Sequence, residues 1–220
     1  MAARARASEG VGILLAGGAS TRMGGGVKCL LPLAGRPVLA HVIERLRPQV
    51  AQLVINANDD HAKFAQFGLP VISDVIGGRQ GPLAGVHAGI VWARANLPEA
   101  RFVITAAADT PFFPDDLVQR FRAALADGEP RLVVASSEEN VHPVFGLWPV
   151  SLAAALERSL ERGERKVSAW VKEHGAEEVY FPPSEIGGCA VDPFFNLNRP
   201  EDFAEAEALL AREVPRDADG

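Results

Sequence analysis

Four short and almost unbroken apolar runs, Val11–Ala16, Leu53–Ala57, Phe102–Ala108 and Leu132–Ala135, punctuate the chain, and longer amphipathic stretches separate them. A run that is apolar at successive positions does not suit a strand with one face in water; it predicts a strand buried on both faces, as in a parallel sheet. Helical candidates fall at Pro37–Leu46, Leu83–Ala95, Pro114–Leu125, Ser151–Arg162 and Pro200–Ala211. Pro37, Pro114 and Pro200 suit a first turn, where the N–H that proline lacks would be unpaired anyway. Strands alternating with helices imply right-handed crossovers, so the expected fold is three-layer α/β: a mostly parallel sheet with helices on both faces, Rossmann-like in arrangement. In such sheets ligands collect at the carboxyl ends of the strands. The regularity weakens after residue 136, where Val144–Trp148, Glu178–Phe181 and Phe194–Leu197 read as short strands around two helices. That part is expected to wall a second substrate.

The chain has 220 residues, 48% of them hydrophobic and 23% charged, which suits one globular domain with a sizeable core. The domain is expected over residues 10–212, with a disordered N-terminal extension at 1–9 and a flexible tail at 213–220. A net charge of −6 argues against a broad surface for nucleic acid or anionic lipid, so any phosphate site must be local. No apolar run approaches membrane-spanning length, and residues 1–9 lack the apolar stretch of a secretory signal, so a cytoplasmic protein is expected. The two cysteines, Cys29 and Cys189, have no metal-ligand spacing and suggest neither a disulfide framework nor a zinc site.

Directly after the first apolar run comes a glycine-rich segment, Leu15-Ala16-Gly17-Gly18 through Arg22-Met23-Gly24 to Lys28. Glycines let a backbone approach a polyphosphate closely and point its amides at it. Arg22 offers a planar fork for phosphate oxygens and Lys28 a compact charge. The alternative is a flexible surface turn with two solvated cations. Two familiar phosphate loops are excluded: Lys28 is followed by Cys29, which breaks G-x-x-x-x-G-K-[ST], and no G-x-G-x-x-G follows the first strand.

The same loop resembles the opening motif of sugar-phosphate and molybdopterin nucleotidyltransferases. Further segments follow in order: Asn56-Ala57-Asn58, Ser73-Asp74, Gly81-Pro82-Leu83-Ala84-Gly85, Asp109-Thr110-Pro111, His142-Pro143 and Asn196-Leu197-Asn198-Arg199-Pro200-Glu201. Together they resemble the molybdenum cofactor guanylyltransferase family over roughly residues 10–212. The resemblance implies a nucleotidyltransferase fold and a reaction in which GMP passes from GTP to the phosphate of molybdenum–molybdopterin, releasing pyrophosphate. Val27 departs from the pattern, since the family often has aspartate before the lysine.

The resemblance also implies roles. Arg22, Lys28 and Asp109 would be catalytic, with Mg²⁺ on Asp109; Leu15, Ala16, Gly17, Gly18, Lys28, Asn56, Asp74, Gly81, Pro82 and Asp109 would bind GTP. His142, Pro143, Asn196 and Asn198 would face the second substrate. The residues themselves leave quieter alternatives open: Asp109 as a turn cap, Asn56 as a local Asx turn, Asp74 as a solvated loop charge, His142 as structural. Asp109 ends an apolar strand, where the fold places ligands and where a carboxylate and substrate phosphates can share a magnesium ion. Trp92, Trp148 and Trp170 are expected in core or groove. The expected protein is a monomer that takes GTP and molybdenum–molybdopterin as substrates, makes transient contact with molybdoenzymes or their chaperones, and meets neither nucleic acid nor membrane.

Overall fold

The computed structural model describes residues 10–17, 27–58, 60–77, 81–125, 131–138 and 140–213. A seven-stranded sheet runs in the order β5-β4-β1-β6-β8-β7-β9. Its members are β1 (Gly10–Leu15), β4 (Gln52–Asn56), β5 (Val71–Ile72), β6 (Phe102–Ala107), β7 (Val133–Ser137), β8 (Asn140–Pro149) and β9 (Glu177–Tyr180). The pairs β1–β4, β1–β6, β4–β5 and β7–β9 are parallel, while β8 runs antiparallel to both β6 and β7. Two small hairpins stand apart: β2 (Pro32–Leu33) with β3 (Arg36–Pro37), and β10 (Ser184–Ile186) with β11 (Cys189–Val191).

Successive side chains of a strand point to opposite faces, and the core obeys this residue by residue. Leu14, Leu53, Ile55, Ile104, Ala106, Val133 and Ala135 join one buried cluster; Ile13, Val54, Val103 and Val134 join another. The first cluster is closed by α1 (Val38–Leu46), α3 (Leu117–Ala123) and α6 (Pro200–Glu213). The second is closed by α2 (Pro82–Asn96), α4 (Ala153–Glu161) and α5 (Val167–Glu173). Helix α1 shows why: Val38, Leu39, Val42, Ile43 and Leu46 recur at helical spacing and all are buried. Helices thus cover both faces, and the fold is the expected three-layer α/β arrangement.

The apolar runs became strands to within two residues of their predicted limits, and the five helical candidates are helices. Phe194–Leu197 is the exception. It lies in a turn and loop outside every strand, because Asp192 Oδ1 accepts the Phe194 N–H at 2.9 Å and Asp192 O accepts the Phe195 N–H at 3.0 Å. Its apolar side chains are buried against the core, Phe194 at 4% exposure and Leu197 at 0%, with no ladder to join. The helix expected at Pro114–Leu125 is confined to Leu117–Ala123. Val144–Trp148 is the second half of the longer β8, and α5 and both hairpins had no counterpart among the sequence expectations. Trp148 and Trp170 are buried, and Trp92 packs half-buried against the same cluster. Among the described residues no helix is long and apolar enough to cross a membrane.

Candidate functional site

The register of the three central strands brings their carboxyl ends level: Leu15 pairs with Asn56 on one side and Ala107 on the other. The chain leaves each strand in step, since Ala16 N–H donates to Asn56 O at 2.9 Å and Ala108 N–H donates to Leu15 O at 3.2 Å. Two residues beyond the end of β6 stands Asp109, and two beyond β5 stands Asp74. A cleft of about 440 Å³ opens over this edge, within the size range of small-molecule sites. Of the residues expected to bind nucleotide, Leu15, Ala16, Gly17, Asn56, Asp74, Gly81, Pro82 and Asp109 line it, together with Asn196 from the second-substrate set. Gly18 and Arg22 lie outside the described residues, as do residues 1–9 and all of the predicted tail but Glu213.

One end of the cleft is built on an ion pair: Lys28 is not among the residues that line it, but its ammonium meets Asp109 and Asn196, which do. Lys28 opens a short 3-10 turn, Lys28–Leu30, that is pinned by the buried Cys29 and by Leu30 N–H donating to Val27 O at 2.9 Å. Its ammonium forms an ion pair with Asp109 Oδ2; the two side chains are 16% and 21% exposed. The remaining protons face Asn198 Oδ1 at 2.6 Å and Asn196 Oδ1 at 3.4 Å. Leu197 N–H donates to Asp109 O at 3.0 Å and fixes this loop beside the end of β6. Asn196 and Asn198, expected opposite a second substrate, therefore meet Lys28 first. Val27, which stands where an aspartate was expected, is 9% exposed and packs into the core while lining the cleft. Burial and the charge of Asp109 push the Cys29 thiol up to about 12, so Cys29 is packing and carries no chemistry.

The other end is an acceptor. Asp74 Oδ1 accepts from Asn56 Nδ2 at 3.1 Å, and Oδ2 accepts from Asn58 Nδ2 at 2.6 Å. Asn58 Oδ1 in turn accepts the Asp74 N–H at 2.9 Å, so the carboxylate is clamped by two amides from the end of β4 and the loop after it, with lone pairs to spare. Asn58 was visible in the Asn-Ala-Asn segment but had no assigned role. Gly81 caps helix α2 at φ 76° and Pro82 begins it, a pairing that suits glycine's left-handed freedom and proline's missing donor. Gly85, one turn on, has no space for a Cβ, since Asn56 and Leu15 occupy it.

His142 and Pro143 lie on β8 at an interruption of the ladder. Pairing passes from Val134↔Gly146 to Ala135↔His142, leaving residues 143–145 without partners in β7. Proline cannot donate to a ladder, so Pro143 sits where pairing lapses. Val144, set free there, lines the cleft; among the described residues His142 and Pro143 do not. His142 Nε2 lies 2.7 Å from Ser137 Oγ, and burial holds its imidazole below the usual histidine range. Ser137 and Asp192, which complete this cluster, carried no motif in the sequence.

The chain is similar to known proteins over most of its length. Residues 12–179 match the model of a family described as the MobA-like NTP transferase domain. A molybdenum cofactor guanylyltransferase of Mesorhizobium japonicum is 47% identical over 200 residues, covering 90% of this chain and 95% of that protein. Among solved structures, molybdopterin-guanine dinucleotide biosynthesis protein A of Archaeoglobus fulgidus superposes with a TM-score of 0.66 at 22% identity, over 92% of this chain and 99% of that one. A 4-diphosphocytidyl-2C-methyl-D-erythritol synthase of Anaerococcus prevotii gives 0.68 at 14% identity, over 95% of this chain and 99% of that one. At such identities the two structures share the fold.

Proposed function

The chain belongs to the MobA-like NTP transferase family, among the molybdenum cofactor guanylyltransferases, and from that premise we propose that it transfers GMP from GTP to the phosphate of molybdenum–molybdopterin. It is a nucleotidyltransferase; the products of the proposed reaction are molybdopterin guanine dinucleotide and pyrophosphate. The observation that carries the proposal is the polarity of one cleft: Lys28 beside Asp109 at one end, and Asp74 clamped by Asn56 and Asn58 at the other. A cation at one end suits a triphosphate, and a carboxylate with free lone pairs suits the N–H edge of guanine.

Lys28, with Arg22 of the preceding segment, holds the triphosphate against the amides of the glycine-rich turn at Gly17 and Gly18. Among the described residues no three acidic, histidine or cysteine side chains gather to hold a metal by themselves; of the two carboxylates that line the cleft, Asp74 is held by Asn56 and Asn58, and Asp109 stands at the Lys28 end as the single carboxylate there. That donor set fits Mg²⁺, which binds through one or two carboxylates, substrate phosphates and water. Held there by Asp109, such an ion would supply positive charge against the phosphate oxygens. The acceptor phosphate is already anionic near neutral pH, so the protein needs no strong base and no covalent intermediate. Rate comes from holding the acceptor in line with the α-phosphorus and from stabilising charge. The acceptor approaches from the side built after residue 136, past Val144 and Asn196. Delivery to molybdoenzymes or their chaperones, a monomeric state and a cytoplasmic setting belong to the same proposal.

The test is to offer each nucleoside triphosphate separately with Mg²⁺ and molybdenum–molybdopterin, and to measure pyrophosphate and dinucleotide. GTP alone should give product, and Lys28→Ala or Asp109→Asn should each lower turnover about 100-fold or more, the scale of losing one charge-stabilising group. Product with CTP in preference to GTP, or with none of them, refutes the proposal.

A further inference from the structure

The loop that reaches Lys28 is anchored at its other end by three polar side chains that the transfer chemistry does not use. Ser137, at the end of β7, is 1% exposed and donates its hydroxyl proton to Asp192 Oδ1 at 2.9 Å. A hydroxyl has one proton. The 2.7 Å contact between Ser137 Oγ and His142 Nε2 is therefore a bond in which the imidazole N–H donates to Oγ. The order is carboxylate, hydroxyl, imidazole. A nucleophilic triad needs the hydroxyl to give its proton to the imidazole and the imidazole to face the carboxylate. The cluster joins three segments of chain instead of activating an oxygen.

What it joins leads to Lys28. Asp192 Oδ1 also accepts the Phe194 N–H at 2.9 Å, so the carboxylate that Ser137 holds is the one on which the loop begins. The His142 ring packs on Phe194 with centroids 4.5 Å apart, and Phe194 packs on Phe145 at 4.8 Å. Beyond this anchor the loop carries Asn196 and Asn198, whose oxygens lie 3.4 Å and 2.6 Å from the Lys28 ammonium. A side chain as flexible as lysine, with three rotatable donors, takes its direction from the acceptors around it. Here two of those acceptors are placed by the loop.

We propose that Ser137, His142 and Asp192 are positioning residues that set the pose of the 192–198 loop and, through Asn196 and Asn198, aim the Lys28 ammonium at the triphosphate of the bound nucleotide. His142 acts through Phe194 and not by touching the second substrate. The inference rests on the assignment of Lys28 to the triphosphate. It makes a selective demand: the cluster governs affinity for the phosphate chain and leaves the guanine end untouched.

The experiment measures binding of GTP by calorimetry, and of GMP by competition, to the wild-type protein, Ser137→Ala and Asp192→Leu in Mg²⁺ buffer, with thermal melts alongside. Each variant should bind GTP about tenfold more weakly, the loss expected when one hydrogen bond to a charged group is misplaced. Binding of GMP should stay within about twofold of wild type, the scatter expected for an interaction left untouched. Asp192→Leu is close to the same size but cannot accept from Ser137 or from Phe194, and carries the test if Ser137→Ala does not fold. GTP affinity unchanged in a folded variant overturns the inference, and so does a parallel loss of GTP and GMP. A wild-type protein that does not bind GTP refutes the proposed function itself, and that result is distinct from any difference among variants.

Discussion

Two glycines on helix α2 separate the site from its scaffold. A Cβ added at Gly85 would fall 2.7 Å from Leu15 Cδ2 and 3.0 Å from Asn56 Cγ, and closer still to Asn56 Oδ1. A Cβ added at Gly89 would fall 2.6 Å from Ile13 Cγ1 and 2.9 Å from Cδ1. Both substitutions to alanine gain about 1 kcal/mol of helix propensity and lose about 1–3 kcal/mol to overpacking. Each should therefore leave stability lower by roughly 0–2 kcal/mol. Their consequences for binding differ. At Gly85 the side chain that must give way is Asn56, which donates to Asp74 Oδ1 at 3.1 Å. A hydrogen bond to a charged group is worth about 1.5–3 kcal/mol, so GTP affinity should fall about 10- to 100-fold. At Gly89 only Ile13 moves, deep in the second core cluster, and GTP affinity should hold within about twofold. Melting curves and GTP titrations on the two variants decide it. A Gly85→Ala protein that binds GTP as the wild type does would show that Asn56 and Asp74 do not work as a pair.

Two further outcomes follow from burial. His41, His87 and His142 all have pKa values held below the usual 6.5, in each case chiefly by burial. The unfolded chain then binds more protons than the folded one just below pH 6.5, so melting temperature should decline as pH falls from about 6.5 to 5.5, and a rise across that window would contradict the assignment. With its thiol pushed up to about 12, Cys29 should resist alkylation at pH 8 in the folded protein while the half-buried Cys189 reacts. Peptide mapping after labelling checks this, and modification of Cys29 before unfolding would refute it.

The parts of this molecule that were legible in its sequence are those that repeat a pattern over many residues. An apolar strand buried on both faces declares itself over five or six positions, and Val11–Ala16, Leu53–Ala57 and Phe102–Ala108 each became strands with small shifts at the ends. Helix α5 escaped because it is only seven residues long and offers Trp170 and Val171 as its buried residues. The β10–β11 hairpin escaped because its strands have three residues each and its turn rests on Gly187 and Gly188 at φ 55° and 76°. Phe194–Leu197 misled for the opposite reason: aromatic residues signal burial, and a loop tied down by Asp192 can bury rings as well as a strand can. In the site, Lys28 and Asp109 stood out because a cation in a glycine-rich turn and an acid after an apolar strand are local patterns. The partnership of Lys28 with Asn198, 170 residues away, and of Ser137 with Asp192, 55 residues away, leaves no local trace. Serine and asparagine close to turns are too common to announce which distant group they will meet.

The surroundings of Lys28 also predict an asymmetry between the two halves of its ion pair. The ammonium has three protons and three acceptors at hand, on Asp109, Asn198 and Asn196. Asp109 has the ammonium and, at 3.5 Å, the Thr110 hydroxyl. Asparagine in place of Asp109 preserves an oxygen able to accept from Lys28, and the other two acceptors remain, so Asp109→Asn should cost about 0–1 kcal/mol of folding stability. Methionine in place of Lys28 leaves a largely buried carboxylate and two amide oxygens without their donor, and should cost about 1–3 kcal/mol. The double variant should be more stable than the sum of the two, by about 1 kcal/mol, because the carboxylate stranded by one change is neutralised by the other. Denaturant unfolding of all four proteins measures the cycle. Turnover follows a different order, with both single variants severely impaired, since the transfer needs the charge of each group as well as the fit. If Asp109→Asn destabilises the fold as much as Lys28→Met does, the ammonium is not shared among three acceptors, and the placement of Lys28 by the 192–198 loop falls with it.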